Sequence, residues 1–205
     1  MRKLFIILLS VSTCLTAFSQ EKGSFEFGFN VGYNLSTVTS GSTTNSTFRS
    51  AFNAGGFGDY YFSNRWSIKA KLTYDQKGWN DGFITNLNNG QSFKTDYRID
   101  YLTIPVMANW HFGKKRNWYL NFGPYAGFLL NAKETMFNTD LKEIMNSTDF
   151  GLAAGIGVKI PVAKKLKILL ELDGQSGFTD VLKNNQGSTI NNSRSSFNTG
   201  LVFDL

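Results

Sequence analysis

The chain has 205 residues, with 20 glycines, only 3 prolines, 15% aromatic side chains and a formal net charge of +6, and one domain accounts for that length. Mean hydropathy is −0.20, and no run after residue 20 approaches the ~20 apolar residues of a membrane helix, so a helical span is excluded there. The charge excess is too small and too scattered to indicate nucleic-acid binding.

The first predicted element is a targeting segment. Arg2 and Lys3 precede the apolar run Leu4 to Leu9, and Ala17-Phe18-Ser19 supplies small residues three apart, so a secretory signal peptide is expected over residues 1–19. A lipid-anchored form cut before Cys14 is disfavoured by Thr13 at the preceding position. Cys14 is the only cysteine, so the exported chain has no disulfides, thiolate metal sites or cysteine nucleophiles. Without Arg2 and Lys3, 19 basic side chains face 15 acidic ones.

Residues 25–35, FEFGFNVGYNL, alternate between apolar side chains from Phe25 to Leu35 and polar or glycine positions, a two-residue period that predicts a strand. A hydroxyl-rich loop over 36–49 follows, then a strand over 50–62 and a tight turn at Ser63-Asn64-Arg65. The next strand alternates Trp66, Ile68, Ala70, Leu72 and Tyr74 with Ser67, Lys69, Lys71, Thr73 and Asp75. A turn centred on Asn64 sets Asp59 across from Lys69 and predicts that the two pair on the inner face. An Asn- and Gly-rich loop over 79–97 leads to a hairpin. Its first arm carries Leu102, Ile104, Val106, Ala108, Trp110 and Phe112 on one face, and its second runs from Trp118 to Leu130 after the turn GKKRN.

A third long loop, 132–148, contains a possible helical turn in TDLKEIMN. Strands then follow over 149–160 and from 166 to about 173, joined by a short turn at 161–165. A fourth long loop, about 177–194, precedes a last strand through Phe197, Thr199, Leu201, Phe203 and Leu205.

The predicted fold class is therefore all-β: an eight-stranded antiparallel up-and-down transmembrane β-barrel over residues 20–205. Short turns alternate with long polar loops, an asymmetry of outer-membrane barrels, in which the short turns face the periplasm. Tyr60, Phe62, Trp66, Trp110, Phe112 and Trp118 gather by the short turns, and Tyr33, Tyr74, Phe128, Phe150 and Phe197 by the long loops, as two aromatic girdles require.

The segments DYLTIPVMANWHF, LNFGPYAGFLL, DFGLAAGIGVKIP and LLELDGQSGFTDVL, in that order, resemble the PorT-like outer-membrane β-barrel family of Bacteroidetes-type bacteria. The resemblance spans essentially the whole exported chain; YL-x-IP at Tyr101 to Pro105 and GPY-x-G-x-LL at Gly123 to Leu130 are its most specific parts. It implies an eight-stranded barrel in the outer membrane, with no secretion role carried over from the named member. The ending NTGLVFDL, with Asn198, Gly200, Phe203 and Leu205, is similar to the C-terminal signal read by the barrel-assembly machinery, although the last residue is usually aromatic.

Among candidate sites, His111 is the only histidine. Its parity faces the lumen beside a short turn, which favours a structural role over that of the surface histidine in lipid-modifying barrels. The inner face is expected to carry a paired polar cluster of Asp59, Lys69, Lys71, Asp75, Glu171 and Asp173, together with Glu26, Arg98, Asp100 and Lys159. At eight strands a barrel is just wide enough for its own side chains, so these charges predict a filled interior and no solute path. Pro105 and Pro124 come to one level of adjacent strands and predict a local irregularity, structural in role and normally a bulge.

The expected function is a structural or interaction role in the outer membrane, without catalysis. No cofactor is expected, and nucleic acid is not a partner. The expected partners are outer-membrane lipid, the assembly machinery during insertion, and a protein at the long loops. A secreted lipocalin-like barrel is the alternative; it would have an apolar lumen and a polar exterior. A lipid-modifying membrane enzyme is a more distant one.

Overall fold

The computed structural model describes residues 22–41, 46–85 and 90–205; the expected signal peptide lies outside them. Eight strands follow in order: β1 (Phe25–Ser40), β2 (Arg49–Tyr61), β3 (Trp66–Thr85), β4 (Ser92–Phe112), β5 (Trp118–Glu134), β6 (Thr148–Ala163), β7 (Leu166–Asp180) and β8 (Ile190–Asp204). Each pairs antiparallel with its neighbour, and β1 pairs with β8, so the sheet closes and has no free edge within the wall.

Alternation sets the two faces. Phe29, Val31, Leu72, Phe122, Leu152 and Leu172 lie exposed on the outside, while Glu26, Asp59, Lys69, Lys159 and Glu171 are buried inside. That is the reverse of a lipocalin-type barrel. Where large rings turn inward, the neighbouring strand makes room: Gly157 pairs with Tyr119 across β5 and β6, and a Cβ on it would lie 2.3 Å from the Tyr119 hydroxyl.

The strands are longer than the apolar pattern indicates, because β3 and β4 reach 20 and 21 residues. At ~3.3 Å per residue and a tilt near 45°, a strand of that length advances about 45 Å against an apolar band of about 25 Å. The excess stands above the band, where no lipid face is needed and alternation fades. Segments expected as loops, including 79–85, 92–97 and 190–194, are strand for that reason.

The irregularity expected at Pro105 and Pro124 is a gap in the ladder and not a bulge. Pro105 lies opposite Tyr125 and Pro124 opposite Leu152 in unbroken register. No pairs form between Pro105 and Ala108 on the β5 side, so the missing N–H thins the ladder without shifting it. A one-residue slip would turn every following side chain to the wrong medium, and that cost holds the phase. The register shift of this hairpin lies instead at Asp100/Tyr101, above the prolines.

The three short turns are tight. Ser63 Oγ accepts the N–H groups of Arg65 and Trp66 at 3.3 and 3.0 Å, and Gly113 takes a left-handed φ of 82°. Lys164 and Lys165 alone separate β6 from β7.

Candidate functional site

Among the described residues, chemistry-bearing side chains converge in the lumen, and they do so in layers. Next to the short turns, the ammonium of Lys159 reaches Asp59 at 2.6 Å and Tyr61 Oη at 2.9 Å, and also bonds Glu26. Lys167 holds the other oxygen of Glu26 and reaches Asp204 at 2.6 Å. Asn109 donates to Asp59 at 3.0 Å.

One layer higher, Glu171 collects Lys69 at 2.8 Å, Tyr119 Oη at 2.5 Å, Asn121 at 2.9 Å and Lys71. Asp173 takes Lys71 at 3.3 Å and Arg194 at 2.8 Å, and Arg194 also approaches Asp75 at 3.3 Å. In the top polar layer Lys77 meets Asp149 at 2.9 Å with its charge over the Tyr125 ring, 4.5 Å from the centroid.

The mouth above is closed by apolar packing. The loop between β5 and β6 makes a single turn at 141–145 and inserts Leu141 and Met145 among Val38, Trp79, Ile99, Tyr101, Ala132 and Val181. Backbone bonds from Leu141 to Ala132 and from Asn146 to Val181, 2.9 Å each, pin that loop to two strand ends. The cavity bordered by Asn30, Lys71, Asp173 and Arg194 leaves about 10 Å³ for the centre of a water molecule. A space of that size holds about one water.

All six residues of the expected interior cluster, Asp59, Lys69, Lys71, Asp75, Glu171 and Asp173, face this lumen. The register sets Asp59 opposite Lys69 as expected, yet they do not pair: Lys69 reaches across to Glu171, and Asp59 to Lys159. A lysine arm is long enough to cross a narrow barrel, so the opposite wall competes with the adjacent strand.

Two further expectations need correction. Arg98 and Asp100 share the parity of Leu102 and Ile104 and project outward: Arg98 is exposed and Asp100 half-buried, bonded to Asn131 at 3.3 Å. Both stand above the apolar band, where an outward charge meets water. Sequence reading also missed Lys77, Asp149, Lys167 and Arg194 as members of the network. The inward parity of Lys167 could have found it, whereas Arg194 sits in a stretch without apolar alternation.

His111 is fully buried, with Nε2 3.0 Å from Ser67 Oγ and its ring packed between Tyr61 and Tyr119. A serine next to a histidine has the outline of a nucleophile and base, but Nδ1 has no hydrogen-bond partner to orient it. No cluster able to hold a metal ion occurs among the described residues.

Of the C-terminal motif, Asn198 joins the lumen through Asp173 at 3.1 Å, Phe203 stacks on Phe27 at 5.2 Å, and Leu205 is exposed. Gly200 sits where a Cβ would lie 2.2 Å from the carbonyl oxygen of Phe29, so the closing seam needs a glycine there.

A closed eight-stranded wall with an apolar exterior, a charged and filled lumen and aromatic girdles at two levels defines a transmembrane β-barrel of the outer-membrane type. The chain belongs to the outer membrane protein beta-barrel domain family, whose model matches residues 18–183. Its fold is similar to that of OprG from Pseudomonas aeruginosa, 12% identical over 91% of this chain and 98% of that one, with a TM-score of 0.57. Neisserial surface protein A is 14% identical over 89% and 99% of the two chains, and AlkL 11% identical over 93% and 94%, each with a TM-score of 0.51. At such identities the likeness is one of fold. No curated protein matches the chain in sequence.

Proposed function

We propose that this protein is a non-conducting, non-catalytic barrel of the outer membrane, of the PorT-like branch, that acts through its long loops as a structural or interaction element. Exported by its signal peptide and inserted by the assembly machinery through the Asn198, Gly200, Phe203 and Leu205 motif, it turns its short turns to the periplasm and its long loops outward.

The filled lumen carries this reading. With Lys69, Lys159, Asp59 and His111 all at 0% exposure, the interior offers no route and no access to a reacting group, which leaves the rims as working surfaces. The long-loop rim has apolar side chains in water, with Phe48 64%, Phe137 51% and Phe178 65% exposed.

Fractionation tests the location. Recovery from the outer membrane with heat-modifiable migration supports it, and a soluble periplasmic monomer sinks it. The exported chain has no cysteine, so Phe137→Cys and Lys115→Cys give single labels for a membrane-impermeant maleimide on whole cells. Labelling at 137 and not at 115 supports the orientation; the reverse pattern contradicts it.

A further inference from the structure

The formal charge of the chain is not spread over the molecule. In the lumen, six cations (Lys69, Lys71, Lys77, Lys159, Lys167, Arg194) meet six carboxylates (Glu26, Asp59, Asp75, Asp149, Glu171, Asp173). The long-loop rim mixes both signs as well, six cations such as Lys94 against seven carboxylates such as Asp81, and these two pair at 2.9 Å. The positive excess of the exported chain therefore lies entirely at the short-turn rim.

Seven cations stand there, Lys22, Arg65, Lys114, Lys115, Arg116, Lys164 and Lys165; all are exposed but Arg116, which is half-buried and engaged within the protein. Among the described residues the one side-chain carboxylate at this rim is Asp204, already held by Lys167. Every short turn contributes, and Lys22 supplies the fourth corner, tied to the first turn by its N–H to Asn64 Oδ1 at 3.3 Å. The charge thus forms a ring and not a patch on one side.

The ring adjoins an aromatic girdle. Trp66 follows Arg65 directly and pairs with Trp110 across β3 and β4, Phe112 pairs with Trp118 across β4 and β5, and Tyr60 and Phe62 complete the belt. Indole and phenol rings of this kind sit at the headgroup level of a bilayer. Cations one or two residues further out then lie at the depth of lipid phosphates.

We infer that the short-turn rim is a binding ring for anionic phospholipid headgroups, which anchors and levels the barrel in its bilayer through phosphate contacts. A ring shared among all the turns suits an annulus of lipid better than a folded protein, which would meet one side. Assignment of this lipid to the periplasmic leaflet rests on the proposed orientation, whereas headgroup selectivity does not depend on it.

Three of the four tryptophans, Trp66, Trp110 and Trp118, lie in the adjoining girdle, and Trp79 lies in the mouth at the other end. In a Trp79→Phe background, fluorescence therefore reports lipid beside the ring. The full exported chain is refolded into phosphatidylcholine vesicles containing brominated phosphatidylglycerol or, at the same mole fraction, brominated phosphatidylcholine, and quenching is compared.

The expected result is enrichment of the anionic lipid by roughly fivefold, the factor that one surface lysine or arginine supplies. It should fall in Lys114→Gln/Lys115→Gln/Lys164→Gln/Lys165→Gln, which removes four of the seven cations, and, for the unchanged ring, be lost at molar salt, where screening shortens to about 3 Å. The salt arm keeps the inference falsifiable if the quadruple variant misfolds. Equal quenching by the two lipids in a folded barrel, as when the cations instead await an acidic periplasmic protein, overturns it; so does a preference that survives both neutralisation and salt. Soluble recovery in fractionation would sink the membrane reading itself, so the two failures remain distinct.

Discussion

Lys159 is the side chain whose loss should cost the barrel most. Its ammonium is fully buried and serves Glu26 and Asp59 together, with Tyr61 Oη as a third partner. In Lys159→Met the volume is nearly kept, but Asp59 is left with Asn109, and Glu26 depends on Lys167 and Tyr61. Breaking a buried ion pair from one side costs about 3–5 kcal/mol, because the remaining charge is neither hydrated nor paired. That is roughly two to four orders of magnitude in the folding equilibrium. The assay is urea unfolding from detergent micelles, followed by tryptophan fluorescence and by heat-modifiable migration. Neutralising the stranded acid as well, in Lys159→Met/Asp59→Asn, should restore much of the loss. A single variant as stable as the parent, or a double variant no better than the single, would refute the claim that this network acts as a coupled unit.

Three further outcomes follow from the packing. Gly157→Ala should destabilise the barrel by about 1–3 kcal/mol in the same assay, since the new methyl would meet Tyr119, whose hydroxyl is held by Glu171 at 2.5 Å. Met145→Ala should loosen the apolar closure, so that limited proteolysis within 135–147 accelerates while heat-modifiable migration of the wall persists; an unchanged cleavage rate would count against the cap. Glu134 stands on the part of β5 above the apolar band. Burial alone would raise its carboxyl, but the N–H groups of Thr139 and Phe137 and the Thr95 hydroxyl bring it from 4.5 down to about 2. A lowered folded value means that its contribution to the loop is complete above about pH 4.5 and is lost as pH falls toward 2. Protection against hydrogen exchange at Met136, Phe137 and Thr139, measured relative to the intrinsic rate at each pH, should fall over that window, and Glu134→Gln should abolish the pH dependence of that protection.

Strand count, turns and which residues share a face were legible because a bilayer punishes every misplaced residue: from Leu102 to Phe112 the alternation has no fault, although parity alone does not say which face is the inner one. The register of Asp59 against Lys69 followed from the turn at Asn64. What could not be read was distance across the lumen. Parity says that Lys69 and Glu171 both point inward, but only the closed wall brings residues 102 positions apart to 2.8 Å. Above the band the lipid constraint disappears, so Arg194 reads as loop, whereas the outward sense of Arg98 and Asp100 is present in their shared parity with Leu102 and Ile104. At the prolines the missing donors interrupt the ladder, but the demand for continuous parity keeps the register unshifted.

Ion conductance tests the central claim most directly. Refolded into a planar bilayer, the full exported chain should insert without opening steady current steps, because Lys69, Lys159, Glu171 and Asp59 fill the bore and Leu141 and Met145 seal its mouth. Reproducible open-channel steps from the correctly folded barrel would contradict a closed interior, and with it the assignment of function to the rims.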